Sequence, residues 1–250
     1  MKNCKVYAAV LCALTFSSQI MAKTLEPADT EVWQPIPKQI SFSANNVPSD
    51  AIILFDGSST SAWQKNNFDE KIDWTVLNGA MTVAGGTGDI KTRENFCDVQ
   101  LHIEWQTPAI VTDKNGKELN GQERNNSGVF FQERYEVQIL DSYKNQTYSN
   151  GQAGAIYKQY IPEVNASLPP TQWQTYDIIY NAPKFSNNIL ITPANMTVLH
   201  NGVLIQNNVQ LQGPTVYIGK PSYSPHGCAP ILLQDHGNPI SFRNIWLRKL

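Results

Sequence analysis

The residues best suited to chemistry lie in two short stretches of the sequence. The first is Tyr135-Glu136-Val137-Gln138-Ile139-Leu140-Asp141. Read as a β-strand, it sends Glu136, Gln138 and Leu140 to one face and Tyr135, Val137 and Ile139 to the other. The apolar trio belongs in a core between sheets. Glu136 and Gln138 then share the outer face, with Asp141 just beyond. A carboxyl beside an amide can bind hydroxyls and move a proton, although a solvated strand face would show the same alternation. The second stretch is Leu232-Leu233-Gln234-Asp235-His236-Gly237-Asn238-Pro239, where polar and turn residues follow a buried strand. An imidazole is the ordinary choice for acid–base work near neutral pH, which singles out His236. Asp235 either orients it or caps the turn. His226, in Pro225-His226-Gly227, ranks lower. His102 lies on a strand's polar face and His200 precedes a hairpin turn, so both read as structural or surface residues.

Other chemistries lack their residues. The 250-residue chain is only 16% charged, carries a net charge of −2, and has no Lys/Arg run longer than two. A nucleic-acid binder would show a basic patch or stripe, so no nucleic-acid partner is expected. There is no G-x-S-x-G elbow, H-E-x-x-H helix or P-loop. Gly85-Gly86-Thr87-Gly88 joins two strands and opens no helix, so it is not a phosphate cradle. The polar excursion over 113–123 could carry a metal, but its carboxylates are not spaced as in an EF-hand. No cofactor is evident, and a divalent metal stays possible. Few charges and 10% aromatics suit a β protein that handles sugars.

These residues must be positioned by strands. Residues 1–22 read as an export signal, with Lys2 and Lys5 before a short apolar run over 6–16 and a small-residue exit at Ala22. The run falls short of the roughly 18 residues of a membrane span, so no integral membrane association is expected after cleavage. The protein is expected to be exported, either periplasmic or secreted. Cys97 and Cys228 remain, and the sequence leaves open whether they pair. Residues 23–48 form an irregular, Pro-bearing extension. From residue 49 short apolar runs alternate with turns. Strands are expected over 52–55, 74–77, 81–83, 99–105, 129–132, 135–140, 175–180, 195–199, 203–206, 216–218, 231–234 and 240–247. Asn78-Gly79 and Asn201-Gly202 have the signature of hairpin turns. No helical stripe and no repeat is visible, so the reading is one all-β sandwich domain over 49–250. Trp74, Trp105 and Trp246 are expected to fill its core, while Tyr157 stays available to a sugar.

The ordered motifs resemble the 3-keto-disaccharide hydrolase domain family, within the concanavalin A-like lectin/glucanase superfamily. They include Leu54-Phe55-Asp56-Gly57, Trp63, Gly88-Asp89-Ile90-Lys91-Thr92, Glu104-Trp105, Asn126-Ser127-Gly128-Val129 and the stretch from Tyr135 to Asp141. Gly154-Ala155-Ile156-Tyr157, Trp173, Leu199-His200-Asn201-Gly202-Val203, the stretch from Leu233 to Pro239 and Phe242-Arg243-Asn244-Ile245-Trp246 follow. Cys228 stands where Pro or a small residue would be usual. The resemblance implies a concanavalin A-like jelly-roll sandwich with a sugar-binding face and action on glycosides oxidised at C3. A C3 ketone acidifies the C2 proton, so a base can remove it and the C1 substituent leaves by elimination, after which water can add back.

On that reading Glu136 or His236 supplies the base or acid, supported by Asp141 and Tyr157. Gln138, Gln234, Asn126 and Arg134 bind hydroxyls or the keto oxygen. Two other readings compete. Glu136-x-Gln138-x-x-Asp141 looks like the E-x-D-x-x-E strand of laminarinase-like retaining glucanases, which need two carboxyls about 5–5.5 Å apart. The same fold also serves non-catalytic carbohydrate-binding modules.

Overall fold

The computed structural model describes residues 24–65, 70–109, 112 and 115–250, so the expected export signal lies outside the described residues. The chain divides into two compact units, Met1–Gln39 and Ile40–Leu250. The described part of the first holds a single 3-10 turn, Pro27–Thr30, with a capping box between Glu26 and Asp29. All strands belong to the second unit.

Fifteen short strands are described in chain order: β1 (Ile52–Phe55), β2 (Trp63–Lys65), β3 (Thr75–Leu77), β4 (Ala80–Thr82), β5 (Ile90–Thr92), β6 (Val99–Gln106), β7 (Asn126–Phe131), β8 (Tyr135–Leu140), β9 (Gln174–Asn181), β10 (Lys184–Ser186), β11 (Ile189–Thr192), β12 (Asn195–His200), β13 (Val203–Gln210), β14 (Leu232–Leu233) and β15 (Ser241–Lys249). They form an all-β jelly-roll sandwich of antiparallel sheets. The larger sheet runs β13-β12-β9-β6-β15-β4-β3, with β1 also paired to β15. The smaller runs β2-β5-β14-β7-β8, and β10 and β11 form a separate hairpin.

The core follows from two-residue alternation. On β6, Val99, Leu101, Ile103 and Trp105 are buried, and Gln100, His102 and Glu104 face outward. β9 repeats the pattern with Tyr176, Ile178 and Tyr180 inward. From the smaller sheet, Val129, Phe131, Tyr135, Val137 and Ile139 meet them. Each such side chain contributes roughly 1.5–3 kcal/mol on burial. Two core phenols also tie the sheets together. Tyr176 Oη donates to Gln138 O (2.8 Å), and Tyr180 Oη donates to Gln132 Oε1 (2.8 Å). Both expected hairpin turns form. Asn78 and Gly79, like Asn201 and Gly202, have positive φ, as tight two-residue turns between twisted strands require.

Several local expectations are corrected. Residues 216–218 are not a strand but part of a loop, in which Ile218 lies almost wholly exposed. Gly213, Pro214 and Gly219 bracket the apolar trio and leave it no partner strand. β2, β5, β10 and β11 were not anticipated; each has only three or four residues, too few to show a period. Trp74 and Trp105 pack in the core, against Phe242 and Tyr176. Trp246 does not: it is buried on the outer face of the larger sheet, stacked on His102 with ring centres 5.0 Å apart. A bulge between Arg243 and Trp246 shifts the alternation of β15.

Cys97 and Cys228 form a disulfide across 131 positions of sequence. It ties the start of β6 to the long connection between β13 and β14. A Cys97→Ala/Cys228→Ala variant should lose about 2–5 kcal/mol of stability, measured by denaturant unfolding. Unchanged stability would show that the packed connection holds itself.

Candidate active site

The outer face of the smaller sheet carries a cavity of about 680 Å³. Its floor is Asn126 and Phe130 of β7 with Glu136 and Gln138 of β8. Gln234 and His236, just after β14, form one side. Loops supply Gln122, Glu123, Tyr148, Tyr157, Thr215 and Tyr217.

β7 and β8 set the floor by register, pairing Gly128 with Gln138 and Phe130 with Glu136. Gly128 is required by space. A methyl on its Cα would lie 2.7 Å from Glu136 Oε1 and 2.8 Å from Phe130 Cε2. The carboxyl thus folds over the gap that glycine leaves. The wall over 213–218 is sewn to β8 at two points: Glu136 N donates to Thr215 Oγ1 (3.0 Å), and Thr215 N donates to Arg134 O (2.7 Å).

Glu136 is only 4% exposed. It has no ion-pair partner among the described residues. Removal from water penalises its charged form and pushes its pKa up to about 8. Its nearest polar neighbour is the Gln138 amide, which stands between two sets of acceptors. Turned one way, its nitrogen donates to Gln122 Oε1 (3.0 Å) and Asn126 Oδ1 (3.3 Å). Turned the other way, it donates to Glu136 Oε1 (2.9 Å) and Ser127 O (3.1 Å). The amide can therefore support the carboxylate when it is charged.

Opposite lies a pair of phenols, Tyr148 and Tyr157, with hydroxyls 2.6 Å apart. Burial raises both phenol pKa values, so both remain protonated hydrogen-bond donors. Lys158 Nζ stands 4.1 Å over the Tyr217 ring and donates to Tyr217 O (2.7 Å), fixing an exposed aromatic at the mouth. Gln234 Oε1 is buried without a partner among the described residues. An orphaned acceptor in a cavity that also holds an uncharged acid is equipment for a hydroxylated ligand.

Six of the residues singled out from sequence meet here: Asn126, Glu136, Gln138, Tyr157, Gln234 and His236. Two do not. Asp141 continues the alternation of β8 and falls on the face opposite Glu136. It is bound by Arg124 Nε (2.8 Å) and by Tyr143 N (3.2 Å), with both members of the ion pair buried. Arg134 donates to Gln132 O (2.7 Å) and lies outside the cavity lining. Asp235 caps its turn rather than orienting His236, because its carboxylate accepts from Gly88 N and Gly237 N. Among the described residues no group of three or more His, Cys, Asp or Glu side chains is placed to hold a metal ion.

The sequence reading missed Gln122, Glu123, Tyr148, Thr215 and Tyr217. They sit on loops or, for Gln122 and Glu123, in a single 3-10 turn over Gly121–Glu123, where side-chain direction follows no strand period. The one available signal was the bracketing of 214–218 by Gly213 and Gly219, which marks a loop rather than a strand.

The Arg124 ion pair distinguishes Asp141 from Glu136, which has no such partner among the described residues. Asp141→Ala strands a buried guanidinium and should cost about 3–5 kcal/mol in denaturant unfolding. Any activity per folded molecule should be retained. Loss of activity in a stably folded variant would return Asp141 to the site.

A family model for the 3-keto-alpha-glucoside-1,2-lyase-like domain matches residues 50–248. Among solved structures, a Parabacteroides distasonis ATCC 8503 protein provisionally named a glycosyl hydrolase is 44% identical. That match covers 90% of this chain and 97% of the other, with a TM-score of 0.84. A second protein from the same organism, with the same provisional name, is 19% identical over 80% of this chain and 94% of its own. Its TM-score of 0.59 reflects a shared fold. No curated protein matches. With the Glu136 cavity and every strand but the last residue of β15 inside the matched segment, the chain belongs to the 3-keto-alpha-glucoside-1,2-lyase-like domain family.

Proposed function

We propose that the protein cleaves glycosides oxidised at C3 of the sugar, by proton abstraction at C2 and elimination at C1. The observation that carries this is Glu136: a carboxyl buried without a cation, pushed up to about 8, at the floor of a cavity lined by amides and phenols. An acid of that pKa is a stronger base, once ionised, than an ordinary carboxylate, and suits removal of a proton next to a ketone. Family membership and the 44% identical relative provisionally named a glycosyl hydrolase point the same way.

In this mechanism Glu136 takes the C2 proton, and the developing enolate oxygen accepts a hydrogen bond from the phenol of the Tyr157–Tyr148 pair whose proton is not already given to its neighbour. The electron pair forms the C1–C2 double bond as the C1–O bond breaks. His236, at the exposed side, gives a proton to the departing oxygen. Asn126, Gln138 and Gln234 hold the hydroxyls, and Gln234 Oε1 accepts from one of them. Water returning across the double bond completes hydrolysis. The retaining-glucanase reading loses the second carboxyl that its strand motif supplies, because Asp141 is bound by Arg124 on the opposite face. Export to the periplasm or outside the cell remains part of this proposal, resting on residues 1–22.

The purified protein should release aglycone from a 3-keto-glucoside and leave the unoxidised glucoside intact. Glu136→Gln should slow release by about 10²–10⁴-fold, the usual worth of a general base. The rate should rise as pH climbs toward about 8, since the base must be ionised, and this limb should vanish in Glu136→Gln. Release at the wild-type rate in both Glu136→Gln and His236→Ala overturns the assignment. A parallel assay with a chelator reads metal dependence.

Burying Glu136 also has a stability consequence. Its folded-state pKa is raised above its ordinary value, so its contribution is fully present below about pH 4.5 and lost as pH rises through about 8. Glu136→Gln escapes that loss. Its melting temperature relative to wild type should climb by several degrees between those pH values, read by calorimetry. A constant difference would mean that Glu136 is not buried as an acid.

A further inference from the structure

A second, larger cavity of about 1020 Å³ lies on the opposite outer face of the sandwich, over β6 and β15. It uses segments that the Glu136 cavity leaves idle: the turn at Asp56-Gly57, the Asn78-Gly79 hairpin tip, Glu104 and 243–246, beneath a strap over 41–51. The floor is fixed backbone. A methyl on Gly57 would come within 2.9 Å of Gly79 O, so the turn and the hairpin tip are pressed together.

Three independent features mark this cavity as built for a ligand. The first is the bulge in β15, where register slips between Arg243 and Trp246 and Asn244 adopts φ 46°. Such bulges re-aim side chains beside functional sites. This one turns Arg243 and Asn244 onto Glu104. Arg243 Nε donates to Glu104 Oε2 (2.6 Å), and Asn244 Nδ2 donates to Glu104 Oε1 (2.8 Å). The second is Trp246, whose ring lines the cavity, more than nine-tenths buried and held in place by stacking on His102. The third is the guanidinium of Arg243, which lies 4.1 Å over the Trp173 ring and is thus held from two sides.

The lining also selects the ligand's chemistry. Glu104 is answered by Arg243. Behind Trp246, His102 is half-buried, which disfavours its charge, but Asp177 and Glu104 outweigh this and raise it to about 9. Asp56 adds one carboxylate that no cation answers among the described residues, so the surplus is negative and repels a phosphate or a carboxylate. What remains toward the cavity is amides such as Asn45 and Asn78, serine hydroxyls and carboxylate lone pairs. Mixed donors and acceptors beside aromatic surface fit a neutral polyhydroxylated ring.

We propose that this cavity is a second, non-catalytic binding site for a neutral saccharide, whose hydroxyls meet the Asn45 and Asn78 amides and the Asp56 and Glu104 carboxylates beside the Trp246 ring. It would hold a glycan chain on the face opposite the Glu136 cavity, and it does not depend on what reaction occurs there.

The test follows the indole N–H resonances of the ¹⁵N-labelled full chain during titration with maltotriose and with cellotriose. The Trp246 signal is assigned from Trp246→Phe. The expected result is a saturable shift of that signal with at least one trisaccharide. Binding should weaken about tenfold, 1.4 kcal/mol, in Asn45→Ala. Asn45 sits on the exposed strap, so this variant keeps the sheet intact. The same weakening is expected in Arg243→Met, while Glu136→Gln should bind as wild type does. Absence of a saturable shift with both sugars overturns the proposal. So does a shift that survives Asn45→Ala and Arg243→Met unchanged, or one that disappears in Glu136→Gln, which would trace it to the other cavity.

Discussion

A β-strand offers only every second side chain to a given face, and this constraint organises the molecule. The core claims Tyr135, Val137 and Ile139 of β8, so Glu136 and Gln138 must stand together outside it. The same rule on β6 sends Leu101, Ile103 and Trp105 inward and leaves His102 and Glu104 on the far face. Two outer faces thus receive polar groups from strands whose positions the core has already fixed. Chemistry placed on such strands inherits the rigidity of the packing behind it.

Burial then gives these groups their character. An exposed Glu136 would be an ordinary carboxylate. Under the loops that carry Tyr148, Tyr157 and Thr215, with no cation nearby, it becomes an acid titrating near neutrality. Asp141 is as well buried but sits against Arg124, and the ion pair turns it into a structural strut. Five residues apart on one chain, two carboxyls differ in electrostatic character because one meets a positive charge and the other, among the described residues, meets none.

Most of the architecture was legible in the sequence because alternation and turn chemistry are local. Residues 99–105 and 135–140, and the two Asn-Gly turns, could be read directly. The short strands β2, β5, β10 and β11 could not, and neither could the disulfide, whose partners meet only after the sheets close. In the site, the strand-borne residues Glu136, Gln138 and Asn126 were identified, as were Gln234 and His236 beside a recognisable turn. Asp141 was misplaced by nearness in sequence, which on a strand counts for less than parity. Arg134 was misplaced because its backbone, not its side chain, serves the site. Trp246 was assigned to the core because a bulge shifts parity without announcing itself in the sequence.

Gly128 sets a limit of a different kind. The Glu136 carboxyl occupies the space where any side chain at position 128 would begin. Substitution there can only fill the floor, never deepen it, because no residue is smaller. Changes in what the cavity accepts must therefore come from its loop walls, where Tyr148, Thr215 and Tyr217 can be exchanged for larger or smaller neighbours. The reach of the acid is set by an atom that is absent, and the tolerance of the pocket by loops that can be rewritten around it.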